Sequence, residues 1–325
     1  MNTTIDIPVK NKVLEDYDLS VNKGDKRLTF RKVTHKDMPL IWEFLLKEPG
    51  RTTDFSYAGL YMWVDLFHYE FAVYNDTLFI KGVVENDFSK PAFSLPIGSM
   101  SLRDSLAILR EYCKAEKIPM ELSAVPEYAL EELELLDPLY IELLSDWSDY
   151  LYDAEMLSSL KGKKMGKKRN HINYFILHNP EWKFEPLTGE NAGEALKFMD
   201  VYDKEADETF MAREESKLSR QLIRMLAEGD SVMHGGILYD KPGEICAITI
   251  GDVKGDTLFV HVEKGTKEVN GSYEMINKEF ASYMKDKFPE VKYINREDDS
   301  GDEGLRKAKE SYHPVALLRK YNVIF

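Results

Sequence analysis

The chain has 325 residues, too many for one ordinary domain and enough for two of about 150 each. Hydrophobic residues make up 43% and aromatics 12%, so a core can form, while 57 acidic against 43 basic side chains give a net charge of −14. That balance excludes a generic nucleic-acid coat and makes DNA an unexpected partner, no run approaches the ~18 apolar residues of a membrane span, and two cysteines are too few for a disulfide scaffold or a zinc cage. Residues 1–10 show no apolar stretch behind a basic head, so no secretion signal is expected and a cytoplasmic location follows.

In chain order, Leu28–Val33 alternates as a strand, and His35–Lys47 spaces Met38, Ile41, Trp42 and Leu45 as a helix does. Tyr57–His68 reads as an aromatic-rich helix. Glu70–Tyr74 and Thr77–Val84 form a hairpin around Asn75-Asp76, and Ala92–Leu95 is a short strand before Pro96 and Gly98. A helix over Leu102–Lys117, a strand at Met120–Ala124, a helix at Tyr128–Leu136 and a strand at Tyr140–Leu144 complete the first half. One helix is expected from Ala154 to about Phe175, joining the halves. Beyond it come a strand at Trp182–Pro186, helices near Ala192–Glu205 and Arg213–Ala227, and a hairpin of Ser231–Tyr239 and Glu244–Val253. Strand Thr257–Val262, helix Ser272–Lys287, strand Lys292–Asn295, helix Glu303–Glu310 and extended Val315–Phe325 end the chain.

The halves therefore repeat an order of elements, without residue-level identity between them. The fold class expected is α/β (α+β), with two tandem units at 1–150 and 151–325, each a mixed, mostly antiparallel sheet flanked by helices. This order resembles the acetyltransferase-like fold of the GNAT superfamily, and two in tandem resemble the Fem-type aminoacyl-tRNA-dependent transferases. The GNAT resemblance implies a cleft between the fourth strand and its following helix, where an acyl donor's phosphates meet backbone N–H groups.

Three stretches can carry chemistry. Residues 1–150 hold 16 basic and 26 acidic side chains and residues 151–325 hold 27 and 31, yet Lys161, Lys163, Lys164, Lys167, Lys168 and Arg169 put six cations in nine positions without an acid. On a helix Lys164, Lys167, Lys168 and His171 share a face suited to a phosphate-rich ligand; the plain alternative is a solvated linker. Next, His261-Val262-Glu263 ends a strand, and Gly271-Ser272 opens a helix whose N–H groups form an anion site by geometry and dipole. Glu263 is placed to act as a general base, although Gly271 and Ser272 can equally be no more than a helix cap. Last, Arg296 sits at a strand's mouth before an acidic glycine loop, and Arg306 and Lys309 share a helix face above Tyr312, able to bind and polarise an anionic or ester group. The loop's spacing fails the EF-hand template, and no metal is expected.

Lys161–Phe175, His261–Gly265, Gly271–Asn277 and Asn295–Pro314, with a weaker aromatic match at Tyr57–Trp63 and 149–152, resemble an uncharacterised bacterial family related to the C-terminal domain of phosphatidylglycerol lysyltransferases. The resemblance implies a tandem acetyltransferase-like fold and transfer of an acyl or aminoacyl group to an amine or hydroxyl. Aminoacyl-tRNA and acyl-CoA are both donors it allows, with no tightly bound cofactor. Carried over, Lys309 and Arg306 face the donor. The expected site assigns catalysis to Glu263, Arg306 and Tyr312, and donor or phosphate binding to Lys164, Lys167, Lys168, Arg169, Gly271, Ser272, Arg296 and Lys309. A degenerate transferase that binds a phosphate-bearing ligand or a partner without turnover is the alternative. The first half is expected to be a structural partner, because Glu127, Glu131, Glu132 and Glu134 would repel phosphates.

Overall fold

The computed structural model describes residues 28–205 and 210–325. The reading of residues 1–10 lies outside them.

The first half runs β1 (Arg31–Lys32), α1 (Met38–Leu45), α2 (Tyr57–Met62), β2 (Glu70–Tyr74), β3 (Thr77–Val84), β4 (Asp87–Phe93), β5 (Ile97–Gly98), α3 (Leu102–Glu116), β6 (Glu121–Pro126), α4 (Leu130–Glu134) and β7 (Tyr140–Leu143). The second runs β8 (Asp149–Asp153), α5 (Ala154–Ser159), α6 (Gly166–His178), β9 (Lys183–Leu187), α7 (Ala192–Glu205), α8 (Phe210–Ala227), β10 (Met233–Lys241), β11 (Glu244–Lys254) and β12 (Thr257–Gly265). It closes with α9 (Ser272–Lys287), β13 (Tyr293–Asn295), α10 (Glu303–Glu310), β14 (Ala316–Leu318) and β15 (Lys320–Ile324).

Two sheets form, ordered β1-β2-β3-β4-β6-β15-β7, with β5 beside β3, and β14-β8-β13-β12-β11-β10-β9. Among the described residues all pairings are antiparallel except one in each sheet: β4 with β6, through Phe93 and Leu122, and β12 with β13, through residues 257–259 and 293–295. Parallel neighbours need a crossover, supplied by α3 in one half and α9 in the other.

The structure differs from the sequence expectation in four places, the first being β8, a strand where none is expected. The strand expected at 92–95 is instead β4, which hairpins directly off β3. The joining helix is broken: Leu160 takes a left-handed conformation (φ 50°), as does Gly162 (φ 91°), so α5 and α6 are separate helices. The chain's end is shared between the halves, since β14 pairs with β8 in the second sheet while β15 crosses into the first, between β6 and β7. Sequence alternation marks extended backbone but carries no information on which sheet receives it.

The halves are tied by buried charge. The loop between α1 and α2 presses on the edge of the second sheet: the Thr53 N–H and hydroxyl donate to Asp149 Oδ2 (2.7 and 2.9 Å), as does Asn295 Nδ2 (2.9 Å). Lys320 of β15 is 3% exposed and lies 2.8 Å from Asp149 Oδ1 and 2.9 Å from Asp54 Oδ2. Lys254 pairs with Glu48 at 2.6 Å, both buried, and Arg51 grips Asp256 with two nitrogens (3.0 and 2.9 Å). Asp252, fully buried in β11, accepts from the Ala58 N–H (2.9 Å) at the start of α2 and so caps a helix of the opposite half.

On the other side of Asp252 stands His261. β12 carries a bulge there: Ile250 pairs with Val262 and Gly251 with Val260, leaving His261 as the extra residue. Gly251 lets the bulge close, because a Cβ would sit 2.2 Å from the Phe259 carbonyl oxygen. The bulge turns the imidazole between Asp252 (2.8 Å) and Glu297 (2.9 Å). Burial alone would lower its pKa; the two carboxylates outweigh burial and hold it at about 10.

Two predictions follow from these contacts. Lys320→Met leaves two buried carboxylates without their cation, and a loss of about 3–5 kcal/mol is expected from urea unfolding. Because the His261 pKa is raised from 6.5 to about 10, its contribution to stability is complete below pH 6.5 and is lost as pH climbs toward 10. The urea midpoint of the wild type should fall over that window, and His261→Asn should start lower at pH 6.5 and fall less. Parallel curves for the two proteins would exclude this linkage.

Candidate functional site

Beyond Phe259 and Asn295 the two parallel strands part. β12 continues to Gly265, whereas Arg296 pairs its N–H with the Tyr150 carbonyl (3.1 Å) and Glu297 turns left-handed (φ 59°). Across the gap the Arg296 Nη2 donates to Glu263 Oε1 (2.6 Å), and the other Glu263 oxygen accepts from Asn277 Nδ2 on α9 (3.0 Å). The Arg296 guanidinium lies 4.7 Å from the Tyr312 ring centre, and the Lys168 ammonium lies 3.8 Å from the same ring. Tyr152 meets Tyr312 edge-on at 6.5 Å and donates its hydroxyl to the Lys309 carbonyl (2.9 Å).

Lys168 also pairs with Glu274 in the first turn of α9 (3.4 Å), and Glu274 is shared with His171 Nδ1 (3.0 Å). One contiguous cluster therefore runs His171, Glu274, Lys168, Tyr312, Arg296, Glu263. Its charged members other than His171 are only 12–14% exposed, while His171 is 53% exposed. Burial lowers the Lys168 pKa, and Arg296 adds to that, against Glu274. Burial would lower the Arg296 pKa as well, but the Glu263 carboxylate beside it more than compensates. Burial raises Tyr312 far above the usual phenol range.

Three buried side-chain atoms around Glu263 have no hydrogen-bond partner among the described residues: Arg296 Nη1, Asn277 Oδ1, and Oγ1 of Thr249, which faces Glu263 across the β11–β12 ladder. Unpaired buried polar atoms are costly, and a cluster of them points to a polar group that belongs there.

The expected site residues separate into those the fold gathers and those it does not. Glu263, Arg296, Tyr312 and Lys168 converge. Lys309 is buried nearby, but its ammonium donates to the carbonyls of Arg296 (2.6 Å) and Asp298, bracing the turn that carries Arg296 rather than facing a donor. Burial lowers its pKa, opposed by Glu297 and Asp298. Arg306 is a correction: it is bound to Asp299 through two nitrogens (2.9 and 2.8 Å) and to Asp146 (3.0 Å), and so neutralises the acidic loop. Asp299 is accordingly held below the usual carboxylate range, first by Arg306.

The basic stretch also needs correction as a single stripe. Lys164 precedes α6 in a turn, and Lys164 and Lys167 are exposed. Arg169 folds back to donate to the Leu160 and Gly162 carbonyls (2.5 and 2.6 Å), holding the break between α5 and α6. The helix start at Gly271 and Ser272 is covered. Both are buried, the Ser272 hydroxyl donates to the Thr266 carbonyl (3.1 Å), and a Cβ on Gly271 (φ 89°) would lie 2.5 Å from the His171 carbonyl oxygen. Packing of α6 thus takes the place a donor's phosphates were expected to fill. Glu274, Asn277 and Thr249 were not assigned roles from sequence, because their partners lie on other elements and no local spacing joins them.

In the first sheet the corresponding gap is closed. Asp54, Phe55, Tyr69, Glu85 and Phe93 fill the space beside Ser123 and Ala124, leaving about 10 Å³. Burial, then Asp54, pushes the Glu85 carboxyl well above its ordinary range.

Comparison with known proteins gives the family and the fold. The family described as phosphatidylglycerol lysyltransferase, C-terminal, matches residues 47–324. A conserved protein of unknown function from Bacteroides thetaiotaomicron is 33% identical, with a TM-score of 0.82 over 92% of this chain and 99% of that one. L-PGS from Bacillus licheniformis is 14% identical, with a TM-score of 0.60 over 88% and 91% of the two chains. FemX is 12% identical, with a TM-score of 0.58 over 91% and 97%. At such identities the last two share the fold, which is the tandem GNAT-like one. No helix among the described residues is long and apolar enough to cross a membrane.

The division of the basic stretch is testable. Lys164→Ala with Lys167→Ala should leave the urea midpoint nearly unchanged, because exposed charges contribute roughly 0–1 kcal/mol. Arg169→Ala should cost about 1–3 kcal/mol, since the half-buried Leu160 carbonyl loses a charged donor. Equal effects from both would return Arg169 to the solvated face.

Proposed function

The chain belongs to the phosphatidylglycerol lysyltransferase C-terminal family, and from that membership we propose that it is an acyltransferase whose reaction takes place at the opening between β12 and β13. The family is described as a lysyltransferase, which supports aminoacyl transfer over simple acetyl transfer. The observation that carries the reading is the unpartnered, buried Arg296 Nη1 beside a carboxylate that already fixes the guanidinium. A donor ester or thioester carbonyl placed against that nitrogen gains a charge-assisted hydrogen bond as its oxygen becomes an oxyanion. Glu263 orients Arg296, Tyr312 supports the two cations, and Lys309 holds the backbone of the turn. We place the reaction in the second half, with the first half as a structural partner and the units divided near residue 150.

The donor is an aminoacyl-tRNA or an acyl-CoA, and the acceptor an amine or a hydroxyl. The exposed Lys161, Lys163, Lys164 and Lys167 beside the cluster favour the polyanionic donor. Closure of the Gly271 start by α6 favours the second reading, a degenerate relative that binds a phosphate-bearing ligand without turnover.

A panel of acyl-CoAs and charged tRNAs, followed for donor deacylation, separates the two. Transfer from one donor class, reduced about 100-fold or more by Arg296→Gln at unchanged fold, is expected. Donor binding without deacylation across the panel would establish the degenerate reading instead.

A further inference from the structure

Glu263 is poorly suited to remove a proton. Both its oxygens are occupied, by Arg296 and by Asn277, and the side chain is 13% exposed. The same cluster holds a different pair. His171, on the second turn of α6, directs Nδ1 to Glu274 Oε1 at 3.0 Å, and its side chain is 53% exposed. When Nδ1–H donates to the carboxylate, Nε2 is left with its lone pair as an acceptor. Glu274 is itself fixed from below by Lys168, at 3.4 Å, and Lys168 is packed on Tyr312. The imidazole is therefore oriented by a carboxylate that is oriented in turn, and the chain of contacts ends at Arg296. A base, the group that orients it, and an electrophile-stabilising cation make up the usual parts of an acyl-transfer site.

Resting on the transferase reading above, we infer that His171 is the general base of the reaction and Glu274 its positioning residue. The acceptor's N–H or O–H is placed at His171 Nε2. As the acceptor's heteroatom forms its bond to the donor carbonyl carbon, the proton passes to Nε2 and the carbonyl electron pair moves to oxygen. The oxyanion then collapses, the bond to the leaving oxygen or sulfur breaks, and the imidazolium returns its proton to that leaving group. Atoms and charge balance without a further reactant. Glu274 stabilises the imidazolium formed midway, as an adjacent carboxylate does in other acyl transferases with a histidine base.

The position of the pair has a local cause. The α5–α6 break starts α6 at Gly166, and Gly271 lets the backbone of α6 come close to the start of α9, with the His171 carbonyl 2.5 Å from where a Cβ would stand. Only that close approach brings residues 171 and 274 within hydrogen-bond distance.

The test uses the whole chain, with a mixture of tRNAs carrying radiolabelled amino acids and, separately, acetyl-CoA as donors. His171→Gln should lower kcat about 100-fold or more with KM within about twofold. Free imidazole should restore much of the activity of His171→Ala, and Glu274→Gln should lower kcat by about tenfold, again without change in KM. A His171→Gln enzyme within about threefold of wild type, or a His171→Ala enzyme deaf to imidazole, overturns the assignment. A second arm needs no donor: diethyl pyrocarbonate acylates the free imidazole nitrogen, and mass spectrometry follows each histidine. His171 should react faster than the exposed His313, and Glu274→Gln should slow His171 alone. If the wild type turns over no donor, the transferase reading falls, while this arm still judges the pair: equal rates at His171 and His313, unmoved by Glu274→Gln, would dismiss it.

Discussion

Arg296 meets Glu263 because the chain leaves β13 at Asn295, and Asn295 is tied down from three directions. Its side chain donates to the Arg51 carbonyl (2.7 Å) and to Asp149 (2.9 Å), and its own oxygen accepts from the Glu297 N–H (2.7 Å). Asp149 is in turn the acceptor for Thr53 and the partner of Lys320. One buried carboxylate thus fixes the loop of the first half, the last strand of the chain and the exit of the strand that delivers Arg296. A charge taken out of water is tolerated only with its full set of partners, so none of these segments can shift alone. The rigidity of the opening in the second sheet is supplied from the first half, and an isolated second half would lack it.

How much of this was legible in the sequence depends on the range of the interaction. Elements whose signal is local, such as the hairpin β2–β3, the hairpin β10–β11 and the helix α9, stand where alternation and helical spacing put them. No local pattern marks β8 as a strand, since Asp149, Tyr150, Leu151 and Tyr152 are all buried and show no alternation of polar with apolar. The break at Leu160 carries little warning: a leucine in the left-handed region is uncommon, and only the neighbouring Gly162 hints at it.

The site divides along the same line. The i, i+3 spacing of Arg306 and Lys309 does put both on one side of α10, but spacing cannot say what lies opposite. What lies opposite is the loop from Arg296 to Asp302, folded back so that Asp299 takes Arg306 and the Arg296 and Asp298 carbonyls take Lys309. The sequence marks Lys168 and Arg296 as cations; that both rest on Tyr312 and hold separate carboxylates, Glu274 and Glu263, is a property of five segments meeting. Local periodicity identifies the residue types a phosphate or ester would need. Tertiary packing decides which of them are already satisfied by the protein.

The two sheets show what that satisfaction does. Each contains one parallel pair in an otherwise antiparallel ladder, so each must have a place where the two strands part. In the first, Asp54 and Glu85 enter the space together with aromatic rings, and Lys320, arriving on β15, offsets their charge. The opening is used up as part of the joint between the halves. In the second, the side chains that enter are themselves short of partners among the described residues: Arg296 keeps a free nitrogen, and Asn277 and Thr249 keep free oxygens. A fold that repeats its architecture need not repeat its site, because the crossing of β15 consumes one opening to stiffen the other. The asymmetry follows from where one five-residue strand pairs.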